Sequence, residues 1–473
     1  MGGPRYFQGG AATPGAPRAD EMAQYLSTVC SKGIATCLVL ATMGTPISGR
    51  AEEDALWQAL TSGKPDLYLR YRFEYVEDGK PSPKPLKNAY ANTFRTALGY
   101  STGLFYGFGL YGQFEDVRIL GDQLFNDGSN PISDRATVVD PEGTDITQAN
   151  IRYEGLPQTV LRLGRQEITH REAPLHRYIG NILWRQHWQM FDAFRVSNQS
   201  LPNFTADYAY VWNVKRIFGE DNPLPNRSEF RMDSHLLRLV YSGLPFAKLE
   251  GYGYLLDFNS NLPSDFSSVT TRVLSTKTFG ARLEGGYGLT ETAKVLYTAE
   301  IANQSDYANN PANIDVNYYL GELGATYTVS KILDAVSAKV SYEVLEGSGL
   351  DAKNRAIAFQ TPLGTNHAFQ GWAERFLVHP ADGIKDLYFT FKAGVLGATV
   401  MAVYHDFHSD RDDYHYGTEW DFAVEKPFMK HFVAGLTYAD YQADRNATNV
   451  ARNSASGQAF DLTKLWAYLQ FKF

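Results

Sequence analysis

The chain has 473 residues and a formal net charge of −8, and 14% of its residues are aromatic, including 30 Tyr and 28 Phe. This acidic balance argues against a nucleic-acid partner. No apolar run reaches the roughly 18 residues that a transmembrane helix needs, so a membrane-spanning form of this chain would have to be a β-barrel.

The N-terminal segment has the pattern of a secretory signal. Lys32 precedes an apolar run at residues 33–43, small residues follow, and an acidic stretch begins after Ala51. Signal peptides carry a basic region, an apolar core and a small-residue cleavage site in this order. We therefore predict an N-terminal extension and signal peptide over residues 1–51, cleaved near Ala51. A buried N-terminal helix is the alternative.

Both cysteines, Cys30 and Cys37, fall within this predicted signal. The mature chain would then contain no cysteine, which suits export into an oxidising compartment. No linker or internal repeat divides the remainder, so residues 52–473 are predicted to form one domain.

Alternating apolar and polar residues recur along this whole domain, as in half-buried strands. The alternation predicts eighteen strands, at residues 66–76, 90–100, 104–116, 145–154, 157–167, 186–198, 203–216, 233–243, 247–258, 276–286, 291–304, 315–328, 335–346, 384–392, 396–408, 415–426, 431–443 and 460–473. Connections after even-numbered strands are tight, for example Gly155-Leu156 and Ala393-Gly394-Val395, whereas those after odd-numbered strands are mostly long. This asymmetry predicts an all-β fold, a transmembrane antiparallel up-and-down β-barrel. Sixteen strands remain an alternative, because strands 6 and 9 alternate poorly.

The last strand carries the clearest membrane pattern. Leu465 and every second residue after it are apolar, the intervening face is largely polar, and the chain stops at Phe473. Such a strand is typical of the closing strand of an outer-membrane barrel. We expect localisation in the outer membrane of a Gram-negative bacterium, surrounded by lipid. We also expect recognition by the barrel-assembly machinery through the strand that ends at Phe473.

The polar face of each strand should point into the lumen. We predict that basic residues of this face form the substrate path: Arg70, Arg72, Arg95, Arg152, Arg162, Arg238, Arg282, Lys392 and Lys464. Arginines along a pore attract anions, and a guanidinium matches a carboxylate bidentately. The alternative is that these side chains pair with acidic residues of neighbouring strands and brace the barrel.

The long connection at residues 347–383 is rich in apolar and aromatic side chains, unlike a fully solvated loop. It is predicted to fold into the barrel mouth and narrow it, and a surface adhesion patch is the alternative. The predicted constriction residues are Phe359, His367, Trp372 and Arg375.

Several short motifs, in order along residues 60–473, resemble the alginate-export family of outer-membrane porins. They are Tyr100-Ser101-Thr102-Gly103, Gly164-Arg165-Gln166, Trp184-Arg185-Gln186, Tyr210-Val211-Trp212-Asn213, Phe359-Gln360-Thr361-Pro362-Leu363, Tyr404-His405-Asp406-Phe407, Tyr416-Gly417-Thr418-Glu419 and Lys464-Leu465-Trp466. The resemblance implies an eighteen-stranded, monomeric barrel with an arginine-rich pore for anionic polysaccharide.

Signs of catalysis are weak. Residues 99–103 match Gly-x-Ser-x-Gly and residues 107–112 match Gly-x-Gly-x-x-Gly, but both stretches fall in predicted strands 2 and 3 and the tight turn between them. A nucleophile elbow or a phosphate-binding glycine loop requires a helix directly after the turn, so neither is predicted. Residues 404–415 concentrate His and Asp and could bind a divalent metal, but a solvated charged loop is commoner, so no metal and no cofactor are predicted. The predicted function is a non-enzymatic porin for anionic polysaccharide or other hydrophilic anions. The alternatives are a general small-solute porin, a surface adhesin and an outer-membrane hydrolase.

Overall fold

A computed structural model describes residues 49–81, 84–173, 176–223, 225–259, 271–329 and 333–473. The chain divides into two compact units, Met1–Gln58 and Ala59–Phe473. Helix α1 spans Gly49–Thr61. Nearly all of the predicted signal peptide lies outside the described residues, and its predicted cleavage point, Ala51, lies within α1. No helix in the described ranges is long and apolar enough to cross a membrane.

The described part of the second unit contains a closed antiparallel barrel. Its eighteen strands are β1 (Lys64–Asp78), β2 (Ala89–Ser101), β3 (Phe108–Ile119), β4 (Gly143–Leu156), β5 (Thr159–Gln166), β6 (Met190–Asn198), β7 (Phe204–Lys215), β8 (Glu229–Tyr241), β9 (Ala247–Leu256), β10 (Thr276–Gly288), β11 (Ala293–Asp306), β12 (Asp315–Thr328), β13 (Leu333–Leu345), β14 (Ile384–Val395), β15 (Ala398–His408), β16 (His415–Phe428), β17 (Phe432–Ala443) and β18 (Leu462–Lys472). Tyr71 of β1 pairs with Phe94 of β2 on one side and with Leu469 of β18 on the other, which closes the sheet. The prediction of eighteen strands is therefore confirmed, and sixteen is wrong.

The connections contain little further regular structure. Helices α2 (Pro225–Ser228) and α3 (Ala447–Asn453) lie in two of the long loops. Two 3₁₀ turns span Thr271–Leu274 and Asn366–Ala368. The short strands Gly347–Leu350 and Ala356–Ala358 pair with each other within the longest loop.

Side chains alternate between the two faces of the barrel as the sequence predicts. In β1, Arg70, Arg72 and Glu74 are buried in the lumen. On the outer face, Ile301 and Leu323 remain 55% and 58% exposed. An apolar outer face of this kind suits contact with lipid acyl chains.

The predicted loop asymmetry is also present, with small shifts in the turns. The predicted turn at 393–395 lies inside β14, and the chain reverses at Leu396 and Gly397, whose φ angles are +52° and +73°. Two consecutive residues at positive φ are typical of a type I′ hairpin, which matches the twist of the strands. Likewise, β5 and β4 are joined by Pro157 and Gln158 rather than by Gly155-Leu156.

Side chains of two long loops form a buried cluster in the lumen toward the long-loop end. Tyr178, Ile179, Phe359, Leu363 and Phe376 come from two long loops, and each is at most 6% exposed. Burying such a side chain stabilises the folded state by about 1.5–3 kcal/mol. These two loops determine what remains of the channel.

Candidate functional site

Loop L3, residues 167–189 between β5 and β6, folds into the lumen. Its residues Asn181, Gln186 and His187 are fully buried, although they belong to a connection between strands. Residues 186–189 were predicted as the start of strand 6, and that boundary is wrong because β6 begins at Met190. The side chains of this stretch instead occupy the barrel interior.

Arginines of β1 hold L3 in place through its backbone. Arg70 donates from Nη1 to the carbonyl oxygen of Leu183 at 2.7 Å and from Nε to Oε1 of Gln186 at 2.9 Å. Arg72 donates to the carbonyl oxygen of Trp184 and forms an ion pair with Glu74 at 2.8 Å. Both guanidinium groups therefore have protein partners, and the charge of Arg72 is compensated by Glu74 and Asp140.

A second anchor of L3 is a buried charge cluster on strands β2, β3, β4 and β7. Glu115 of β3 accepts from Arg95 at 2.6 Å, from Lys215 at 2.8 Å and from the ring of His187 at 2.9 Å. Although burial by itself lowers the pKa of His187, its hydrogen bonds to Asp145 and Glu115 raise that pKa to about 9. His187 is therefore a cation at neutral pH, and it ties L3 to the barrel wall.

L3 also reaches the far wall of the barrel. Arg171 donates to Glu250 of β9 at 3.1 Å and to Glu300 of β11 at 2.7 Å. Arg177 is fully buried and lies 2.7 Å from Glu343 of β13. L3 thus contacts strands on both sides of the lumen.

Loop L7, residues 346–383 between β13 and β14, meets L3 inside the barrel. The amide of Thr365 donates to the carbonyl oxygen of His176 at 2.8 Å, and the amide of Gly180 donates to that of Leu363 at 3.0 Å. The rings of Trp184 and His367 stack at 3.6 Å. Backbone and side-chain contacts therefore join the two loops across the lumen.

Glu374 of L7 is the ionic centre of this junction. It accepts from Lys464 of β18 at 2.6 Å and from Arg185 of L3, and it lies 3.2 Å from the ring of His367. Burial alone raises the pKa of the Glu374 carboxyl, but Arg185 and Lys464 together hold that pKa well below its usual range. The carboxylate is thus charged at neutral pH, and it joins L3, L7 and the closing strand.

A cavity of about 1040 Å³ is lined by residues of L3 and L7 and by strand residues as far as Lys392 and Lys472 near the short turns. Its basic lining residues are Arg70, Arg72, Arg171, Arg282, Lys339, Lys392 and Lys472, and its acidic ones are Asp66, Glu167, Glu322 and Glu425. Its aromatic residues include Trp184, Trp188, Phe369, Trp372 and Tyr388. Anionic aromatic or hydrophilic solutes suit such a wall, because cations and ring faces are close together.

The predicted substrate-path residues divide into two groups. Arg70, Arg72, Arg282 and Lys392 line the cavity. The remaining five are Arg95, Arg152, Arg162, Arg238 and Lys464, which do not belong to its lining. Arg95, Arg238 and Lys464 form ion pairs with Glu115, Glu250 and Glu374 respectively.

The predicted constriction residues occupy different places in L7. His367 and Trp372 line the cavity. Phe359 is fully buried against Tyr178 and Tyr318. Arg375 points to the wall, where it pairs with Asp78 of β1 at 2.8 Å.

The sequence reasoning missed L3 as a lumen element. The signal was present, because L3 carries Tyr178, Ile179, Trp184 and Trp188, the same enrichment that drew attention to L7. The sequence could not show that Arg70 and Arg72 are buried against L3, because they donate hydrogen bonds to main-chain carbonyl groups of that loop.

Comparison with solved structures places the barrel in a known fold. Acinetobacter baumannii OccAB2 superposes with a TM-score of 0.63 at 15% identity, covering 88% of this chain and 99% of that one. Pseudomonas aeruginosa OccK9 (OpdG) gives 0.62 at 12% identity, covering 88% and 100%. Pseudomonas aeruginosa OpdK, solved with vanillate, gives 0.60 at 12% identity, covering 88% and 99%.

These structures are Occ/Opd outer-membrane porins. At such low identity the likeness establishes the fold, a closed eighteen-stranded porin barrel. No protein-family model matches the chain, and no curated protein matches it. The outer-membrane-porin part of the predicted resemblance is therefore supported at the level of the fold, whereas the alginate-export part stays a prediction.

Proposed function

We propose that this chain is a non-enzymatic outer-membrane channel that passes small hydrophilic anions, with carboxylates as the preferred class. The observation that carries the proposal is the cavity wall, which among the described residues includes seven basic and four acidic side chains, two of the basic ones being lysines without an ion-pair partner. Fixed cations along a narrow path attract anions and repel cations.

Two of these cations are available to a solute. Within the described residues, the side chains of Lys392 on β14 and Lys472 on β18 make no hydrogen bond or ion pair, and both residues are exposed. A passing carboxylate would therefore replace only water at these ammonium groups, without breaking an existing ion pair.

The size of the cavity supports small solutes over polymers. Its volume of about 1040 Å³ is at the upper end of ordinary small-molecule sites. The L3–L7 junction crosses the lumen through backbone hydrogen bonds and the buried Glu374 ion pairs. An alginate-like polysaccharide would have to thread past this junction as a continuous chain, so we rank this predicted solute second.

The solved relative with a bound carboxylate supports the same class of solute. OpdK was solved with vanillate, an aromatic carboxylate. The cavity here offers comparable chemistry, since Arg171 and Arg282 lie on the same wall as Trp188 and Tyr388. Under this proposal the barrel is monomeric in lipid, with its short turns in the periplasm and its long loops outside the cell.

Solute flux into proteoliposomes tests the proposal. The refolded mature barrel should admit vanillate and benzoate faster than the neutral analogue vanillyl alcohol, and oligo-uronates should enter slowly or block. The Lys392→Ala/Lys472→Ala double variant should lose most of the preference for the carboxylates. Lys430→Ala is the matched control, because Lys430 is an exposed lysine in the turn after β16.

Three outcomes would count against this function. Equal flux of vanillate and vanillyl alcohol would favour a general small-solute porin. Faster entry of oligo-uronates than of vanillate would restore the alginate-like polymer as the leading solute. No flux at all would move the assignment to an adhesin or an enzyme.

A further inference from the structure

The long-loop rim of the barrel contains a cluster of metal-ligating side chains that the channel does not use. Asp406 and His408 lie at the end of β15, and His415 begins β16, across loop L8 (residues 409–414). Each of the three offers one ligand atom, and these atoms all lie within 4.8 Å of one another. All three side chains are between 31% and 37% exposed, so a metal ion in solution can reach them.

The distances within the cluster match a tetrahedral site. His415 Nε2 lies 3.0 Å from Asp406 Oδ1, and His408 Nε2 lies 3.5 Å from the same oxygen. In a zinc tetrahedron with bonds of about 2.0–2.1 Å, neighbouring ligand atoms are about 3.3–3.4 Å apart. The two imidazole nitrogens lie within 4.8 Å of each other, so an inward movement of the two rings would place both nitrogens and the oxygen on one ion.

The second ring nitrogen of His415 is already oriented by a carboxylate. His415 Nδ1 lies 2.8 Å from Asp444 Oδ2, and the Asp444 carboxylate also accepts from the amide of Asn446 at 2.8 Å. A carboxylate on the far nitrogen fixes the ring and makes the near nitrogen a better ligand, an arrangement that recurs around zinc.

The local backbone brings the ligands together. The β15–β16 ladder shifts register between Phe407 and His408, so that His408 pairs directly with His415. Asp412 and Asp413 of L8 both have positive φ angles, 67° and 48°. Bulges and such strained turns often occur where a strand must re-aim its side chains.

A second cluster of potential metal ligands differs from the one at the rim, because a lysine already pairs with its carboxylates. Glu115, Asp145 and His187 also place three ligand atoms together, but Lys215 lies 2.8 Å and 2.9 Å from the two carboxylates and occupies the centre. At the rim, the ion-pair partners of Asp406 in the described structure are His408 and His415 alone. Its charge is therefore available to a cation.

We propose that Asp406, His408 and His415 bind one Zn²⁺ ion at the long-loop rim, with water as the fourth ligand and Asp444 as the positioning residue. Two imidazoles and one carboxylate favour Zn²⁺ over the hard cations Ca²⁺ and Mg²⁺. The bound ion would join β15 to β16 across L8 and, through Asp444, to loop L9 (residues 444–461). The competing arrangement is an ion pair in which protonated His415 bridges the two aspartates.

Competition with a chromogenic chelator tests the proposal on tag-free, refolded, metal-stripped barrel. One Zn²⁺ per chain should bind, and Co²⁺ at the same site should give the intense visible absorption of a tetrahedral complex. Replacing a ligand, His408→Ala or His415→Ala, should abolish both signals. Asp444→Asn should weaken binding about 10–100-fold, as loss of an orienting carboxylate does.

His431→Ala is the matched control, because His431 lies in the turn at the opposite end of the barrel. It should bind Zn²⁺ as the wild type does. Heat-modifiable gel mobility shows that each variant has folded. Zn²⁺ binding that survives in the His408→Ala/His415→Ala double variant, or no binding by the folded wild type, would overturn the site.

Discussion

His187 should make the docking of loop L3 depend on pH. Its imidazole is buried between Glu115 at 2.9 Å and Asp145 at 3.3 Å, and its pKa is about 9, compared with about 6.5 for an unperturbed histidine. A raised pKa in the docked state means that the protonated ring stabilises docking fully below pH ~6.5. This contribution is lost as the pH rises through about 9.

The size of the effect follows from the difference between the two pKa values. A difference of about 2.5 units at 1.36 kcal/mol per unit is worth about 3 kcal/mol. The free energy of opening L3 should therefore fall by about 3 kcal/mol between pH 6.5 and 9.5. This corresponds to a rise of about 100-fold in the undocked population.

Hydrogen–deuterium exchange of the L3 peptides, corrected for the intrinsic pH dependence of exchange, measures this opening. The variant His187→Gln keeps a side chain of similar size without a titrating group, so its opening free energy should be lower at pH 6.5 and flat up to pH 9.5. His431→Gln, at the far end of the barrel, should follow the wild type. Parallel curves for the wild type and His187→Gln would refute the role of this imidazole.

Three further perturbations address the loop junction and the rim. Glu374→Gln leaves Lys464 buried without its carboxylate, which should weaken L7 docking by about 3–5 kcal/mol, and Glu374→Gln/Lys464→Met should recover part of the loss in the same exchange assay. Trp184→Ala removes the ring that stacks on His367 and should raise single-channel conductance; unchanged conductance would show that this stack does not limit the path. Zn²⁺ should slow tryptic cleavage after Arg411 in the wild type but not in His415→Ala. Equal protection of both proteins would show that Zn²⁺ bound at His415 does not order loop L8.

The barrel itself could be predicted closely, because strand alternation and loop asymmetry are local signals. Predicted strand 12, for example, has the same bounds as β12, Asp315–Thr328. The errors in the predicted strands lie at strand ends, where a turn or loop begins. Strand 3 was predicted from residue 104, but Tyr106 and Gly107 both have positive φ and delay β3 until Phe108.

The lumen was predictable only in part. The apolar composition of L7 identified it as a loop that folds inward, but the position of L3 depends on long-range partners. Arg70, for example, bonds to carbonyl groups more than a hundred residues away, at Leu183 and Arg185. Every residue has a backbone carbonyl group, so such a partner cannot be recognised from the residue type. The sequence therefore could not distinguish a solute-facing arginine from one that holds a loop.

Ion selectivity shows whether the cavity lysines make the barrel an anion channel. The refolded barrel is placed in a planar bilayer under a salt gradient, and the reversal potential is measured for the wild type, Lys392→Glu/Lys472→Glu and the control Lys430→Glu. We expect anion selectivity in the wild type and the control, and a shift toward cations in the double variant. Cation selectivity in the wild type, or a reversal potential that the double variant leaves unchanged, would contradict this expectation.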